Sequence, residues 1–528
     1  MVAASELPVD TGATATEMAQ EIFGDGVTVV SASYTGDNLS SGIYTNGDTV
    51  APGVTPSDSG VILSTGHAQD ITNASGQANQ SGSTSTNTSG VNNNADFNAL
   101  AGVRTYDAAW LDIDFIPTGD MLTMQFVFAS DEYPEWVNSI YNDIVGVWSN
   151  GAPVDLAIGN GDADPGNVNA TNTQNLYVDN TGGAYNTEMD GFTVTLTLNI
   201  PVNPGVVNSL RIGIADAGDS SYDSNLLIAG NSMQTVVDAR DDITHLDPNS
   251  SKVLDVLAND ATSSGGTLTI THINGVAVTA GDTVTLATGQ QVTLNADGTF
   301  TLTGDGDVED FNFTYTVEDT TSGITDTAFV NVSSVPCFVA GTLIETTRGR
   351  VAVETLMPGD MVLTHDNGPQ PLRWIGRRVV PARGDFAPIC IAANALGNHG
   401  ALLLSPQHRI LIRDPLAELL FEDAEVLVSA KDLLDGVHVT ALEGGEVEYV
   451  HILFDAHQVV FSEGLATESF LPGPQLSASF ESDIAAEIYA LFPELDPVAG
   501  TGYPPAVRRV LKGWEARLLR AAREGIAA

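Results

Sequence analysis

Residues 335–347 read Val335-Pro-Cys-Phe-Val-Ala-Gly-Thr-Leu-Ile-Glu-Thr-Thr347. A cysteine stands here directly before an alternating strand-like run, at the point where one kind of sequence ends and another begins. A thiol at the first residue of a domain can attack the carbonyl just upstream, here that of Pro336, and turn the amide into a thioester. For an ordinary peptide that shift is uphill. It needs a strained or polarised bond, an acid for the departing amide nitrogen and a group that stabilises the tetrahedral oxyanion.

Candidate partners lie downstream. Leu404-Ser-Pro-Gln-His-Arg-Ile410 ends an apolar run and sets a hydroxyl three residues before an imidazole. A turn at Pro406 lets Ser405 and His408 face one cleft, with His408 as the acid for the Cys337 nitrogen and Ser405 orienting the scissile amide. The plainer reading of a lone histidine, a surface or core residue, loses ground because Cys337 stands at a domain edge. Cys390 lies in the apolar stretch 387–393 and reads as a small core residue. Its alternatives are to resolve a thioester or to form a disulfide with Cys337.

Outward from this junction the charge changes abruptly. The chain has 528 residues and a net charge of -48. The first 335 residues hold 42 of the 67 acidic residues and only four basic ones, Arg104, Arg211, Arg240 and Lys252. Phosphate contacts need clustered Lys and Arg, so nucleic acid is excluded as a partner. At roughly 100–200 residues per domain the length suits about three domains. No stretch reaches the roughly 18 apolar residues of a membrane span, and the start, MVAASELPVDTGATATEMAQ, lacks the basic and apolar regions of a Sec signal. Low cysteine use fits an extracellular protein that does not rely on disulfides.

In the acidic front, runs at 27–32, 60–64, 110–116 and 122–128 alternate with period two and predict a β-sandwich. Between them, Asn73 to Asn94 has no hydrophobic period and reads as a long polar loop. Two acidic clusters follow strands, one within 127–143 and one within 214–225. Hard oxygen ligands at loop spacing suit Ca²⁺, which makes Asp131, Glu132, Asp143, Asp216, Asp219 and Asp223 the candidates. Solvated loop carboxylates are the competing reading. The segment FASDEYPEWVNSIYNDIVGVW, with DAAWLDIDFIP before it and IADAGDSSYDSNLLI after it, resembles the choice-of-anchor L domain of bacterial extracellular proteins. That resemblance implies a secreted or surface β-rich module without a catalytic activity of its own. Residues 236–335 carry about seven short strand patterns, and VLDVLANDA, DGTF and FTYTVED are similar to bacterial cadherin-like or Ig-like repeats, a spacer. Asp260, Asp297 and Asp319 are weaker Ca²⁺ candidates there.

From Cys337 on, CFVAGTLIETTRGRVAVETLMPGDMVLTHD, LLSPQHRIL and HILFDAHQVVFSEGLATESFLPG resemble the Hint (hedgehog/intein) fold in its bacterial autoprocessing branch, with Ser405 where that branch has Thr. The resemblance implies Cys337 as nucleophile and His408 as the activating histidine, with no cofactor for cleavage. Splicing inteins end in His-Asn, whereas His457 is followed here by Gln458, so ligation of the flanks is not expected. Sterol transfer is not expected either, because the strand after the Gly-Asp turn lacks the carboxylate it needs. What remains is cleavage before Cys337, the thioester being captured by water or an external nucleophile. His457 has two readings, assistance in that second step or a structural place in the closing strands. Beyond residue 477, apolar residues at helical spacing, among them Ile484, Ile488, Leu491 and Phe492 and then Val507, Leu511, Trp514 and Leu518, predict a helical appendage. Its alternative reading is a C-terminal export signal of the one-step type I kind.

The expected architecture is therefore mainly β. Two β-sandwich domains, 1–235 and 236–335, precede an all-β horseshoe-like Hint domain at 336–475 and a helical segment at 476–528. The expected function is a secreted or cell-surface protein that cuts itself at Pro336-Cys337 and frees or conjugates an acidic passenger with a surface or protein ligand. The alternative is a non-catalytic, Ca²⁺-stabilised adhesin with a degenerate Hint fold.

Overall fold

A computed structural model describes residues 2–471 except 76, 138, 155, 157–162, 245, 247–250, 306–310, 333–336, 384–386 and 422. Beyond 471 it describes 488, 491–492, 503–511, 515–516 and 518–520. Pro336, Ile484 and Trp514, named above, lie outside the described residues. The protein is mainly β and divides into two compact units. The first comprises Met1–Asp241, Lys252–Leu302 and Phe311–Val330, and the second the remainder.

The first unit begins with a helix, α1 (Ala15–Ile22), started by a capping box in which Thr14 and Glu17 exchange hydrogen bonds. A sandwich follows. One sheet sets β1 (Val27–Thr35) beside β3 (Thr105–Pro117), then β7 (Asn208–Ala217) and β5 (Ile144–Ser149). The other sets β2 (Gly60–Ser64) beside β8 (Ser224–Ala229) and then β4 (Met121–Ser130), with β6 (Leu196–Pro201) also on β4. Alternation assigns the faces. Leu111, Ile113 and Phe115 of β3 meet Met124, Phe126 and Phe128 of β4 in the shared core. Val127 and Ala129 of β4 point the other way into a second apolar cluster with Leu7, Tyr44 and Phe192. A strand buried on both faces reads as a nearly continuous apolar run, as Leu122 to Ala129 does.

Asn73 to Asn94 is irregular, as its composition predicts, yet it is tied down. Thr84 N–H donates to Asp131 (2.7 Å), Thr86 N–H to Asp223 (2.7 Å) and Gln80 N–H to Glu188 (2.9 Å). Buried carboxylates thus replace the ladder partners that the loop's backbone lacks.

The Ig-like part of this unit pairs β9 (Leu268–Ile273) with β10 (Phe311–Asp319), and β11 (Thr325–Val332) lies on β10's other edge. Phe300, Phe313 and Tyr315 form its aromatic centre. Asp319 accepts from Ser264, Thr262 and the amides of Thr321 and Ser322, Asp260 accepts from Tyr315 and the Arg240 amide, and Asp297 accepts from Thr299. All three staple loops.

The second unit is built from two further sheets. In one, β12 (Phe338–Val339) is flanked by β17 (Leu402–Leu404) and β20 (Glu446–Leu453), with β15 (Trp374–Pro381) beyond β20 and β16 (Ile389–Ile391) beyond β17. In the other, β13 (Leu343–Thr346) and β14 (Met361–Thr364) adjoin β21 (Val459–Ser462), and β22 (Leu465–Glu468), β18 (Arg409–Arg413) and β19 (Glu425–Ser429) follow. The Pro358-Gly359-Asp360 turn between β13 and β14 needs glycine, because Gly359 has φ +93°. Asp360 accepts from the Met357 amide and pairs with Arg348 at 2.6 Å. The C-terminal segment departs from the expected helix around Val507 and Leu511. Arg509–Val510 forms β23, parallel to β19 and covering that sheet's edge. Among the described residues, Ile488, Leu491, Glu515, Ala516, Leu518 and Leu519 are helical.

Candidate active site

Cys337 is the residue immediately before β12, and three strands decide its surroundings. Antiparallel pairing sets Phe338 opposite Leu404 on one side and opposite Val450 on the other. The next pair in each ladder brings position 337 beside Ser405 and beside His451. Ser405 N–H donates to the Cys337 carbonyl at 3.0 Å, and the Cys337 N–H donates to Ser405 Oγ at 2.7 Å. The Cys337 nitrogen is therefore held by the serine hydroxyl. On the other side Cys337 Sγ lies 3.3 Å from His451 Nε2.

Ser405 and His408 are joined by a four-residue turn. His408 N–H donates to the Ser405 carbonyl at 3.0 Å, with Pro406 in the second position, which its fixed φ suits. The His408 ring packs edge-on against Phe338 at 4.3 Å between centroids. Burial pushes its imidazole down to about 4, against the pull of the Glu468 carboxylate and of the Cys337 main chain. Near neutral pH it is therefore uncharged and sits against the backbone of Cys337.

The thiol faces the opposite way from Phe338. Cys337 shares an apolar cluster with Val339, Trp374, Tyr449, Leu453 and Phe470, which Ile488 and Phe492 of the C-terminal segment join. Burial pushes its pKa far above the usual thiol range, although the Ser405 contact opposes the shift. The resting group is the neutral thiol, which needs a base before it can attack. His451 is the imidazole at contact distance from it. Its ring packs on Phe470 at 5.6 Å, and both it and Cys337 are buried.

His457 is placed elsewhere. The Val507 amide donates to its Nδ1 at 3.2 Å, so its proton belongs on Nε2, which lies 3.3 Å from Glu468 Oε2. Glu468 also accepts from the Arg409 amide (2.8 Å) and pairs with the Arg409 guanidinium (3.2 Å). Burial raises the Glu468 carboxyl, but the Arg409 charge and the His457 contact outweigh it and hold the group below its ordinary value. His457 thus completes a buried ion cluster on the far side of His408, and no described contact links it to Cys337. Sequence reasoning passed over His451. The available signal was period two in β20, which puts Tyr449, His451 and Leu453 on one face. Cys390 sits in β16 opposite Leu403 and Thr440, and the two cysteines form no disulfide.

The six acidic candidates of the first unit separate into groups. Asp131 is committed to the amides of Thr84 and Asp190, and Asp223 to the amide of Thr86. Asp219 is exposed and caps its own turn through Ser221 N–H. Glu132, Asp143 and Asp216 are buried together. Among the described residues no group of three His, Cys, Asp or Glu side chains is placed to hold a metal ion by itself.

No curated protein matches the chain. Among solved structures, the gp41-1 intein aligns over 98% of its own chain and 25% of this one, at 11% identity and a TM-score of 0.18. A β-glucosidase from Kluyveromyces marxianus in complex with glucose aligns over 14% of its own chain and 26% of this one, at 12% identity and a TM-score of 0.12. The chain matches three families in series: the Choice-of-anchor L domain at residues 8–234, the Bacterial Ig domain at 232–333 and the Hint domain at 336–474.

Proposed function

We propose that the protein is a single-turnover autoprocessing protein that cleaves itself before Cys337. The observation that carries this reading is the pair of contacts on one residue: Ser405 Oγ on the Cys337 nitrogen and His451 Nε2 on its sulfur. In the first step the thiol proton passes to His451 and Sγ attacks the Pro336 carbonyl carbon. The tetrahedral intermediate collapses as the bond to the Cys337 nitrogen breaks. That nitrogen, its N–H held on Ser405 Oγ, takes up the proton that His451 received from the thiol and becomes a free α-amine. In the second step water, or an external amine or hydroxyl, attacks the Pro336–Sγ thioester and releases the thiol. Water leaves a carboxylate on Pro336, and an external nucleophile leaves a conjugate. The acidic two-domain part is the passenger, and the Choice-of-anchor L match supports its place at the cell surface or outside the cell. Among the described residues no helix is long and apolar enough to cross a membrane.

The test is to incubate the purified full chain with dithiothreitol or hydroxylamine and weigh the products. Fragments of 336 and 192 residues, absent from Cys337→Ala, are expected. A chain that stays intact under every condition refutes cleavage and leaves a surface protein with a non-catalytic Hint fold.

A further inference from the structure

Glu132, Asp143 and Asp216 are each 1% exposed. The Asp143 carboxylate is close enough to act on both of the others, and its hydrogen bonds tie it to their segments. Ser130 Oγ accepts from the Glu132 amide at 2.8 Å, and the Ser224 hydroxyl lies 2.8 Å from Ser130 Oγ and 2.7 Å from Asp143 Oδ2. Asp143 Oδ1 accepts from the amide of Ala217, the neighbour of Asp216, at 3.0 Å. A register shift between Ile214 and Asp216 breaks the alternation of β7 at this point.

The cluster has no visible counter-charge. Neither oxygen of Asp216 and not Oε2 of Glu132 receives a hydrogen bond of ordinary geometry, and the buried Trp136 Nε1 close by in sequence lacks an acceptor. Burial is the largest influence on each of the three carboxyls. Asp143 and Asp219 then act on Glu132, and Asp143, Asp223 and Asp107 on Asp216, with the Thr65 hydroxyl alone favouring the charged Asp216. Of the first unit's arginines, Arg211 pairs with Asp96 and Asp112, Arg240 with Asp238, and Arg104 lies over the Tyr106 ring. An unpaired buried carboxylate is too costly to persist, so a proton or a cation must neutralise it.

We propose that this cluster is a Ca²⁺ site, with Glu132 and Asp216 as its charged ligands, Asp143 held beside them, and main-chain oxygens and water filling the other positions. Two carboxylates with neutral oxygens respect the finding that no three such side chains cage an ion unaided. Ca²⁺ accepts this set because it takes six to eight oxygens in flexible geometry, whereas Mg²⁺ demands a near-ideal octahedron. The ion would lock the segment after β4 to the end of β7, the two acidic stretches that flank the tied-down polar loop.

Calorimetry of the full chain at pH 7.5, in EDTA and then in Ca²⁺ at about a hundredfold excess over its Kd, tests the site. The first unit's transition is expected to rise by about 5–10 °C. Asp216→Asn should fold, melt in EDTA no lower than the parent, and lose the rise. Should Asp216→Asn fail to fold, Glu132→Gln decides in its place. The proposal is overturned by no rise in the parent, by an equal rise in NaCl of matched ionic strength, or by a full rise in both variants.

Discussion

Replacing His451 by glutamine separates the geometry of the candidate site from its chemistry. Glutamine can still hydrogen-bond to Sγ across the 3.3 Å contact, but it cannot take a proton at neutral pH. Because burial holds the Cys337 thiol far above its ordinary pKa, almost none of it is thiolate at pH 7.5, and attack depends on a base in place. A positioned general base is worth about 10²–10⁴ in rate. The His451→Gln chain should therefore cleave about 10²–10⁴ times more slowly than the parent at pH 7.5. Its rate should also climb about tenfold per pH unit up to pH 9, as hydroxide takes over the missing role. The parent should respond more weakly to pH over the same range. The assay is refolding from denaturant, timed acid quench and intact-mass measurement of the 336- and 192-residue products, with near-UV circular dichroism as the control for folding. A variant that stays within about threefold of the parent, while Cys337→Ala is inert, would refute His451 as the base. It would leave cleavage itself standing.

Other consequences are narrower. Ser405→Ala removes the 2.7 Å acceptor of the scissile nitrogen, a loss of about 1–3 kcal/mol, so cleavage should slow by about 10- to 100-fold with the fold retained; an unchanged rate would show that the hydroxyl does not orient that bond. His408 has a folded pKa of about 4 against 6.5 in the unfolded chain, so the unfolded state binds the extra proton between those values. Its contribution, about 3 kcal/mol, is fully present above pH 6.5 and lost as pH falls toward 4. Urea titrations of His408→Gln should therefore show a flatter dependence on pH across that window than the parent. Asp131→Ala strips acceptors from the Thr84 and Asp190 amides, and protease cutting within 73–94 should rise at least tenfold; equal cutting would mean that other ties hold the loop.

Much of the candidate site was local and therefore legible. The Ser405-Pro406-Gln407-His408 spacing is a single turn, so a hydroxyl and an imidazole three residues apart reach the same neighbourhood whatever the rest of the chain does. The position of Cys337 before an alternating run likewise follows from a composition step and a period. The choice between two histidines six residues apart did not follow. His451 meets the sulfur because β12 pairs with β20 in the register that sets Phe338 opposite Val450, a contact spanning 114 residues. Past the turn at 455–456, His457 precedes a strand of the other sheet and meets Glu468 instead.

What the amino-acid sequence by itself determined is what depends on short range. The period-two runs made the chain mainly β, the glycine at 359 marked a turn that only a positive φ allows, and the charge step located the junction at Cys337. Tertiary structure decided which groups meet. Six acidic residues looked alike as loop carboxylates, yet Asp131 and Asp223 serve the backbone amides of a distant loop, while Oε2 of Glu132 and both oxygens of Asp216 are left buried without a hydrogen bond of ordinary geometry. Val507 and Leu511 fitted a helical face, but the edge of β19 offered Arg509–Val510 a ladder, and pairing outweighed local propensity. The physical reason is common to these cases. Strand pairing and carboxylate burial join residues far apart in the chain, and their energies depend on the partner and not on spacing.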